Sequence, residues 1–230
     1  MASRLNHPNI RAVYDVGEDA GQPYIAMEYV EGRSLTAAVR PRGLPIDKAL
    51  QLAIQISEGL AYAHAQRIIH RDIKSNNVLV TPDWHAKILD FGLARRIESR
   101  DAGKPSSSGL SFGIGGQLAG TLPYMAPEIL HGEVASMQSD LWALGILLYE
   151  MLTGKLPFEG LTFFETSFLI MASPPPPLPR SVPANLSRVV KRCLEKDQRK
   201  RYKSTYDIVQ DLRRLWNLPL TGRQHQGKRV

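Results

Sequence analysis

Cysteine and long apolar runs are both scarce in this chain of 230 residues. The single cysteine, Cys193, excludes an internal disulfide and is typical of a reducing compartment. Its apolar neighbours on a predicted helix indicate a core residue rather than a nucleophile. The longest apolar run, from Leu141 to Leu152, is too short to span a bilayer and contains Glu150. No basic segment precedes an apolar one near Met1, so no secretory signal is visible. We therefore expect a soluble, cytoplasmic protein without a transmembrane segment.

Acidic residues are in the minority, with 22 Asp and Glu against 29 Lys and Arg and a formal net charge of +7. Such an excess can indicate a nucleic-acid or anionic-lipid partner. The cations are, however, spread along the chain, with modest clusters at 188–203 and in the tail. No aromatic residues alternate with the tail charges, as a base-stacking surface would require. We expect no specific nucleic-acid partner.

The hydrophobic pattern predicts a hairpin followed by a largely helical body. Prolines at 174–177 and 179 predict a stiff connector between two helices, and a PxxP partner motif is the less favoured alternative. Residues 98–120 are rich in Gly and Ser and predict a mobile loop. The predicted strands are 11–16, 23–30, 78–81 and 86–89, and the predicted helices are 45–66, 138–153 (buried on all faces), 162–172, 184–196 and 204–216.

One ordered set of polar residues points to phosphoryl transfer. The run 70–77 reads His-Arg-Asp-Ile-Lys-Ser-Asn-Asn, 90–92 reads Asp-Phe-Gly, and 126–128 reads Ala-Pro-Glu. A lone His-Arg-Asp is weak, but the three motifs in this order, with a strand pair between the first two, are specific. From Leu5 to Trp216 the chain resembles the catalytic core of eukaryotic-type (Hanks-type) serine/threonine protein kinases, most closely the bacterial members. The resemblance implies an α+β, protein-kinase-like fold with a mostly α-helical C-terminal lobe and a small, truncated β remnant of the N-terminal lobe.

The resemblance also implies roles for the polar residues. Asp72 would orient the substrate hydroxyl and accept its proton. Lys74 would neutralise charge on the transferred phosphoryl group and indicates Ser or Thr rather than Tyr as the acceptor. Asn77 and Asp90 would hold magnesium, a hard cation that prefers oxygen ligands. ATP and Mg²⁺ are therefore the expected cofactors.

Other matched residues would position the site. Asp140 would accept backbone N–H bonds from the catalytic loop; a plain helix N-cap is the simpler interpretation, and both can hold at once. The remaining implied contacts are His70 with Phe91, Thr121 with Asp72 and Lys74, and a buried ion pair of Glu128 with Arg201.

A hinge for adenine is expected around Met27. The backbone of Glu28 and Val30 would pair with the base, Met27 would lie at the back of the pocket and Leu79 would form its floor. A strand that ends in Glu-Tyr-Val is common elsewhere, so this assignment depends on the rest of the resemblance.

Regulation is expected at Arg71, which matches an arginine that often binds a phosphate on the activation loop. Serines of the expected loop are candidate phosphorylation sites, and the equally weighted alternative is that they belong to a flexible linker. These serines are Ser106, Ser107, Ser108 and Ser111.

The chain departs from the family pattern at its start. No GxGxxG precedes the expected hinge, and no lysine precedes Lys48, which lies on the predicted helix 45–66. The nucleotide-clamping lysine and its glutamate partner are therefore missing. Two strands without a third are marginal in water, and the exposed edge of the 23–30 strand should be prone to pairing.

These patterns predict an N-lobe remnant at 1–32, a kinase C-lobe at 33–216 with its activation segment at 90–128, and a basic flexible tail at 217–230. The expected function is transfer of the γ-phosphoryl group of ATP to Ser or Thr hydroxyls of proteins, by an incomplete domain. The alternative is a catalytically impaired, kinase-like module that binds proteins, including another kinase chain. The sequence leaves open whether the missing part lies upstream in a longer protein, which Met1 in a helix-like segment favours.

Overall fold

The computed structural model describes residues 5–39, 41–91 and 120–218. Its first element is an antiparallel hairpin of β1 (Val13–Asp19) and β2 (Gln22–Met27). The strands turn at Ala20 and Gly21, both at positive φ, so a glycine here removes backbone strain. The predicted hairpin is confirmed, with both strands shifted towards the turn.

A second sheet joins the segment after the hairpin to the predicted strand pair. It contains β3 (Arg33–Ser34), β4 (Val78–Val80) and β5 (Ala86–Ile88), all antiparallel in the order β3-β4-β5. The sequence did not predict β3, because two residues are too short to show a periodic pattern. Its pairing with β4 brings the segment after the expected hinge against the strand that directly follows the run 70–77.

Seven helices complete the described part of the chain, besides short 3₁₀ turns at Ser75–Asn77, Leu122–Tyr124 and Gln198–Lys200. The predicted helix 184–196 is shorter than expected, because the N–H of Leu194 closes the last turn onto the carbonyls of Val190 and Lys191. The last helix continues through Asn217, one residue beyond the predicted lobe boundary. The helices are α1 (Leu35–Ala38), α2 (Ile46–Ala65), α3 (Pro127–Leu130), α4 (Met137–Thr153), α5 (Phe163–Ala172), α6 (Ala184–Cys193) and α7 (Thr205–Asn217).

Helix α4 lies at the centre of the core, as its all-round apolar pattern predicts. Every residue from Ser139 to Leu152 is buried. The helix begins with a capping box at Ser136 and ends at Gly154, whose φ of 73° suits the left-handed turn. The N-terminal end of α4 is therefore held in place by its cap and by the surrounding core.

The segment before the hairpin is anchored on β5. Asn9 accepts a backbone hydrogen bond from Ile88 (2.8 Å), and its side chain donates to the carbonyl of Ala86 (3.0 Å). The backbone N–H of Arg11 donates to the carbonyl of Ile88 (2.9 Å). This places Arg11 beside the end of β5, two residues before Asp90.

Within the described ranges, no helix is long and apolar enough to cross a membrane.

Candidate active site

The loop that carries Asp72 is attached to the first turn of α4 by Asp140. This carboxylate accepts the backbone N–H of His70 at 2.8 Å and that of Arg71 at 2.9 Å, and it contacts His64 Nε2 at 2.8 Å. Asp140 is almost fully buried, and the positive end of the helix dipole favours its charge. The predicted contact with the loop is confirmed. The N-cap alternative is wrong, because the N-cap of α4 is Ser136.

His70 connects this loop to the segment that carries Asp90. Its Nδ1 accepts the N–H of Asp72 (3.2 Å), so Nε2 carries the proton and donates to the carbonyl of Leu89 (2.8 Å). The ring packs edge-on against Phe91 at 4.5 Å between centroids, which confirms the predicted contact. Burial lowers the pKa of His70 despite the nearby carboxylates, so the ring is neutral at pH 7.

Asp72 is the centre of a compact polar cluster. Lys74 Nζ lies 2.8 Å from Asp72 Oδ2 and donates to Thr121 Oγ1, also at 2.8 Å. Thr121 in turn donates to Asp72 Oδ1 at 3.3 Å. The predicted contacts of Thr121 are therefore present. The Asp72 side chain is still 42% exposed, so an incoming hydroxyl can reach it.

Asn77 is oriented by the same aspartate. Its Nδ2 donates to both the carbonyl oxygen and Oδ2 of Asp72, each at 2.8 Å. The amide oxygen of Asn77 is thereby left as an acceptor. The backbone carbonyl of Asn77 accepts the N–H of Leu89 (2.9 Å), which ties it to the neighbour of Asp90.

Asp90 has a partner that sequence reasoning missed. Arg11 Nη2 lies 2.7 Å from Asp90 Oδ1, and the Asp90 side chain is 46% exposed. Asp90 has φ +57°, an uncommon conformation for a residue other than glycine. The two residues are 79 positions apart, so no local pattern could have revealed the pair.

A second missed ion pair lies at the expected hinge. Lys87 Nζ is 2.7 and 2.9 Å from the two carboxylate oxygens of Glu28, which also accepts the N–H of Ala12 (3.1 Å). Burial raises the pKa of Glu28, but these donors outweigh it and hold the pKa below its usual value. The Glu28 carboxylate is thus fixed in its charged form at neutral pH.

The other expected adenine contacts are near this pair along the chain. Met27 ends β2, Leu79 is the half-buried middle residue of β4, and Val30 is the last residue of the expected hinge. The backbone N–H of Val30 makes no hydrogen bond to any residue that the structure describes. The roles of these residues in binding adenine stay predictions.

A buried network behind the catalytic loop was also missed. Ser75 Oγ lies 3.1 Å from Glu150 Oε1, 2.9 Å from the Tyr124 hydroxyl and 2.7 Å from Thr36 Oγ1. Tyr124 donates to Glu150 Oε2 at 2.6 Å. Burial raises the pKa of Glu150, and burial beside Glu150 raises that of Tyr124. In the sequence, Glu150 showed only as a charge inside an apolar run, which could have indicated a buried partner.

The remaining predicted residues are divided between the core and the surface. Glu128 and Arg201 form the expected buried ion pair, with contacts of 2.6 and 2.8 Å. Arg71 is exposed, has φ +73° and makes no ion pair with a described residue. Ser106, Ser107, Ser108 and Ser111 lie outside the described residues.

Comparison with known proteins agrees with this arrangement. The sequence profile described as "Protein kinase domain" matches residues 1–212. A probable serine/threonine-protein kinase of Clostridium perfringens is 34% identical over 93% of this chain and 30% of its own length. The serine/threonine-protein kinase PrkC of Bacillus subtilis is 35% identical over 92% of this chain and 32% of its own length. For the serine/threonine-protein kinase PknA of Mycobacterium tuberculosis the values are 36%, 87% and 46%.

The chain therefore belongs to the protein kinase domain family, and its relatives place it with the bacterial Hanks-type enzymes. The fold agrees with this assignment, because the described residues form two small sheets and a mostly helical body. The chain spans less than half the length of the relatives named above.

Proposed function

We propose that this chain carries the catalytic lobe of a protein serine/threonine kinase, which transfers the γ-phosphoryl group of ATP to Ser or Thr hydroxyls of proteins. The observation that carries the proposal is the hydrogen-bonded cluster of Asp72, Lys74, Asn77 and Thr121 in a protein kinase domain. Phosphoryl transfer depends mainly on positioning and charge stabilisation, and this cluster supplies both.

Asp72 orients the acceptor hydroxyl and takes its proton as the phosphoryl group is transferred. Lys74 contacts one carboxylate oxygen of Asp72, and Thr121 donates a hydrogen bond to the other. Together the two contacts fix the orientation of the Asp72 side chain. Lys74 also places a positive charge where negative charge develops on the transferred group.

The donor set fits a hard divalent cation, because it offers the amide oxygen of Asn77 and the carboxylate of Asp90. These residues would hold Mg²⁺, which neutralises phosphate charge when ATP is bound. Arg11 already neutralises one oxygen of Asp90, so it would have to share that carboxylate with the metal.

A catalytically impaired protein-binding module is the second candidate. It is favoured by the Arg11 contact to the Asp90 carboxylate. Loss of one preorganised charge-stabilising group typically costs about 10²–10³ in rate. The 230 residues alone contain no lysine before Lys48, so we expect them to transfer phosphoryl groups slowly when purified by themselves, unless another segment or chain supplies the missing group.

We propose that the substrates are proteins with accessible Ser or Thr residues and that a second kinase chain is a partner. The same proposal divides the chain into an N-lobe remnant that ends at residue 32 and a C-lobe that ends at residue 216. The cytoplasmic location stays a prediction, as do the phosphorylation sites Ser106, Ser107, Ser108 and Ser111.

The test is ATP-dependent phosphorylation by the purified chain, of itself and of a generic Ser/Thr protein. Asp72→Asn is the inactivating variant, and Asp83→Asn, in the exposed β4–β5 turn, is the matched control. Binding of a fluorescent ATP analogue with and without Mg²⁺ is measured in parallel. Phosphorylation that Asp72→Asn abolishes and Asp83→Asn keeps supports the kinase. Equal signals from all three proteins, without Mg²⁺-dependent nucleotide binding, support the impaired module instead.

A further inference from the structure

A basic depression lies on the surface between the proline-rich connector and α6. Its volume is about 390 Å³. Leu178 and Val182 supply apolar lining, and Arg180, Arg188 and Lys191 supply positive charge. No carboxylate lines it, and none of the candidate active-site residues does.

The three cations around the depression have no counter-ion among the residues that the structure describes. Within the described part of the chain, the side chains of Arg180, Arg188 and Lys191 make no ion pair and no hydrogen bond. Elsewhere in the chain, Arg199 and Arg201 each bind a carboxylate. No described residue therefore neutralises the positive charge around the depression, and this charge raises the local concentration of anions.

The two cations on α6 stand on a rigid support. Arg188 and Lys191 are three residues apart, so they lie on the same face of the helix and repel each other. The opposite face is buried through Leu186, Val189, Val190 and Cys193. The buried face fixes the helix, so the backbone positions of Arg188 and Lys191 stay close, and an incoming anion would reduce the repulsion between their side chains.

We propose that this depression is a docking site for an acidic peptide segment of a partner protein. Carboxylates of the segment pair with Arg180, Arg188 and Lys191. The planar guanidinium groups of the two arginines can each bind a carboxylate through two hydrogen bonds. An apolar side chain of the segment packs against Leu178. The site is separate from phosphoryl transfer, and it gives the helical lobe a means of selecting partners by charge.

A peptide fits this surface better than a nucleic acid or a membrane does. No aromatic side chain lines the depression, so bases have nothing on which to stack. A lipid surface is contacted by protruding apolar side chains, whereas Val182 lies in the concave part and is only 6% exposed.

The test is direct binding without ATP, so its outcome does not depend on kinase activity. The probe is a short fluorescein-labelled peptide of Glu and Asp with a central Leu, followed by fluorescence anisotropy. The pocket variant replaces Arg180, Arg188 and Lys191 by Gln. The control variant removes the same charge elsewhere, at the exposed residues Lys155, Lys200 and Lys203. Circular dichroism checks that both variants keep the wild-type melting temperature.

We expect the pocket variant to bind about tenfold more weakly or worse, and the control variant to stay close to wild type. Leu178→Ser should weaken binding of the Leu-containing peptide but leave that of an all-acidic peptide unchanged. Rising salt should weaken binding to the wild type.

Three results would overturn the proposal. The first is that the wild type does not bind the peptide. The second is that the two charge variants lose affinity equally, which would mean that only net charge matters. In the third, single-stranded DNA or phosphatidylserine vesicles bind more tightly than the peptide and lose affinity in the pocket variant, so that the occupant belongs to another class.

Discussion

At the residue scale, Arg201 shows what it takes to bury a charge in this protein. Its guanidinium binds both oxygens of Glu128 and donates to the carbonyls of Glu195 (2.8 Å) and Gln138 (2.9 Å). Its side chain is completely buried and that of Glu128 is 5% exposed. Because both partners are satisfied, the cost of removing them from water is offset only while the pair is intact.

We expect Arg201→Met to lower the free energy of unfolding by about 3–5 kcal/mol, because it leaves Glu128 buried without a partner. Urea denaturation measures the change. Arg199→Met is the control, since its ion pair with Asp197 is exposed to solvent, and it should have only a small effect. Similar losses of unfolding free energy in the two variants would show that the buried ion pair of Arg201 contributes no more than the exposed pair of Arg199.

His70 makes the stability of the folded protein depend on pH. Its folded-state pKa lies below the ordinary value of 6.5, so the unfolded chain binds a proton at a pH where the folded chain does not. Stability from this group is therefore complete above about pH 6.5 and is lost as the pH falls below that value.

We expect the melting temperature of the wild type to fall more steeply between about pH 7.5 and 5.5 than that of His70→Gln. Circular dichroism at several pH values measures both slopes. The comparison isolates His70, because His7, whose pKa burial also lowers, is present in both proteins. Parallel slopes would mean that the ring is not held neutral.

At the element scale, the packing of α6 on α4 depends on Gly145. A Cβ atom at this position would lie 2.6 Å from Cys193 Cβ and 2.9 Å from Leu194 Cδ2. In α2, a Cβ at Gly59 would meet the end of the flexible Ile88 side chain at 3.0 Å. Both glycines are inside helices. The nearest backbone-adjacent atom is 2.6 Å from the Cβ position of Gly145, whereas the nearest backbone atom to that of Gly59, the carbonyl oxygen of Asn9, is 3.3 Å away.

Gly145→Ala should therefore destabilise the protein by about 1–3 kcal/mol through overpacking, less a helix-propensity gain of up to about 1 kcal/mol. Gly59→Ala receives the same propensity gain against a softer contact, so it should be the more stable variant. Urea denaturation ranks the two. The reverse order would show that α4 and α6 can move apart at little cost.

Elements differed in how far the sequence predicted them. Helix α4 was predicted within one residue at its start, because a long run that is apolar on all faces has few other solutions. Helix α6 ended three residues early, since the turn at Leu194 depends on local hydrogen bonds that periodicity does not report. Strand β3 exists only because β4 lies beside it.

At the scale of the whole molecule, the hairpin is joined to the helical body by two ion pairs in addition to the backbone bonds of residues 9–11. Arg11 reaches Asp90, and Lys87 reaches Glu28. The hairpin itself buries little, with Tyr14 69% and Val16 44% exposed. A two-stranded ribbon of this kind has little stability of its own.

We expect amides of residues 13–27 to exchange with deuterium much faster than those of 137–153, and faster still in a double variant, Arg11→Met with Lys87→Met. Hydrogen exchange followed by mass spectrometry measures both. Arg213→Met is the control, because it removes an ion pair with Glu58 inside the helical body. Unchanged exchange in the double variant would show that the ion pairs do not hold the hairpin.

The sequence by itself determined the order of the chemical groups and the central helix. Asp72, Lys74 and Asn77 lie within six positions, so a single loop brings them together, and the family resemblance added Thr121, Asp140 and the Glu128–Arg201 pair. Only the tertiary structure decided that Arg11 meets Asp90, that Lys87 meets Glu28 and that Ser75, Tyr124 and Glu150 share one network. These groups are distant in the chain, and each has many candidate partners of suitable charge or polarity. Which partner is reached is settled by how the sheets and helices pack, because burial leaves a polar group one set of neighbours from which to satisfy its hydrogen bonds.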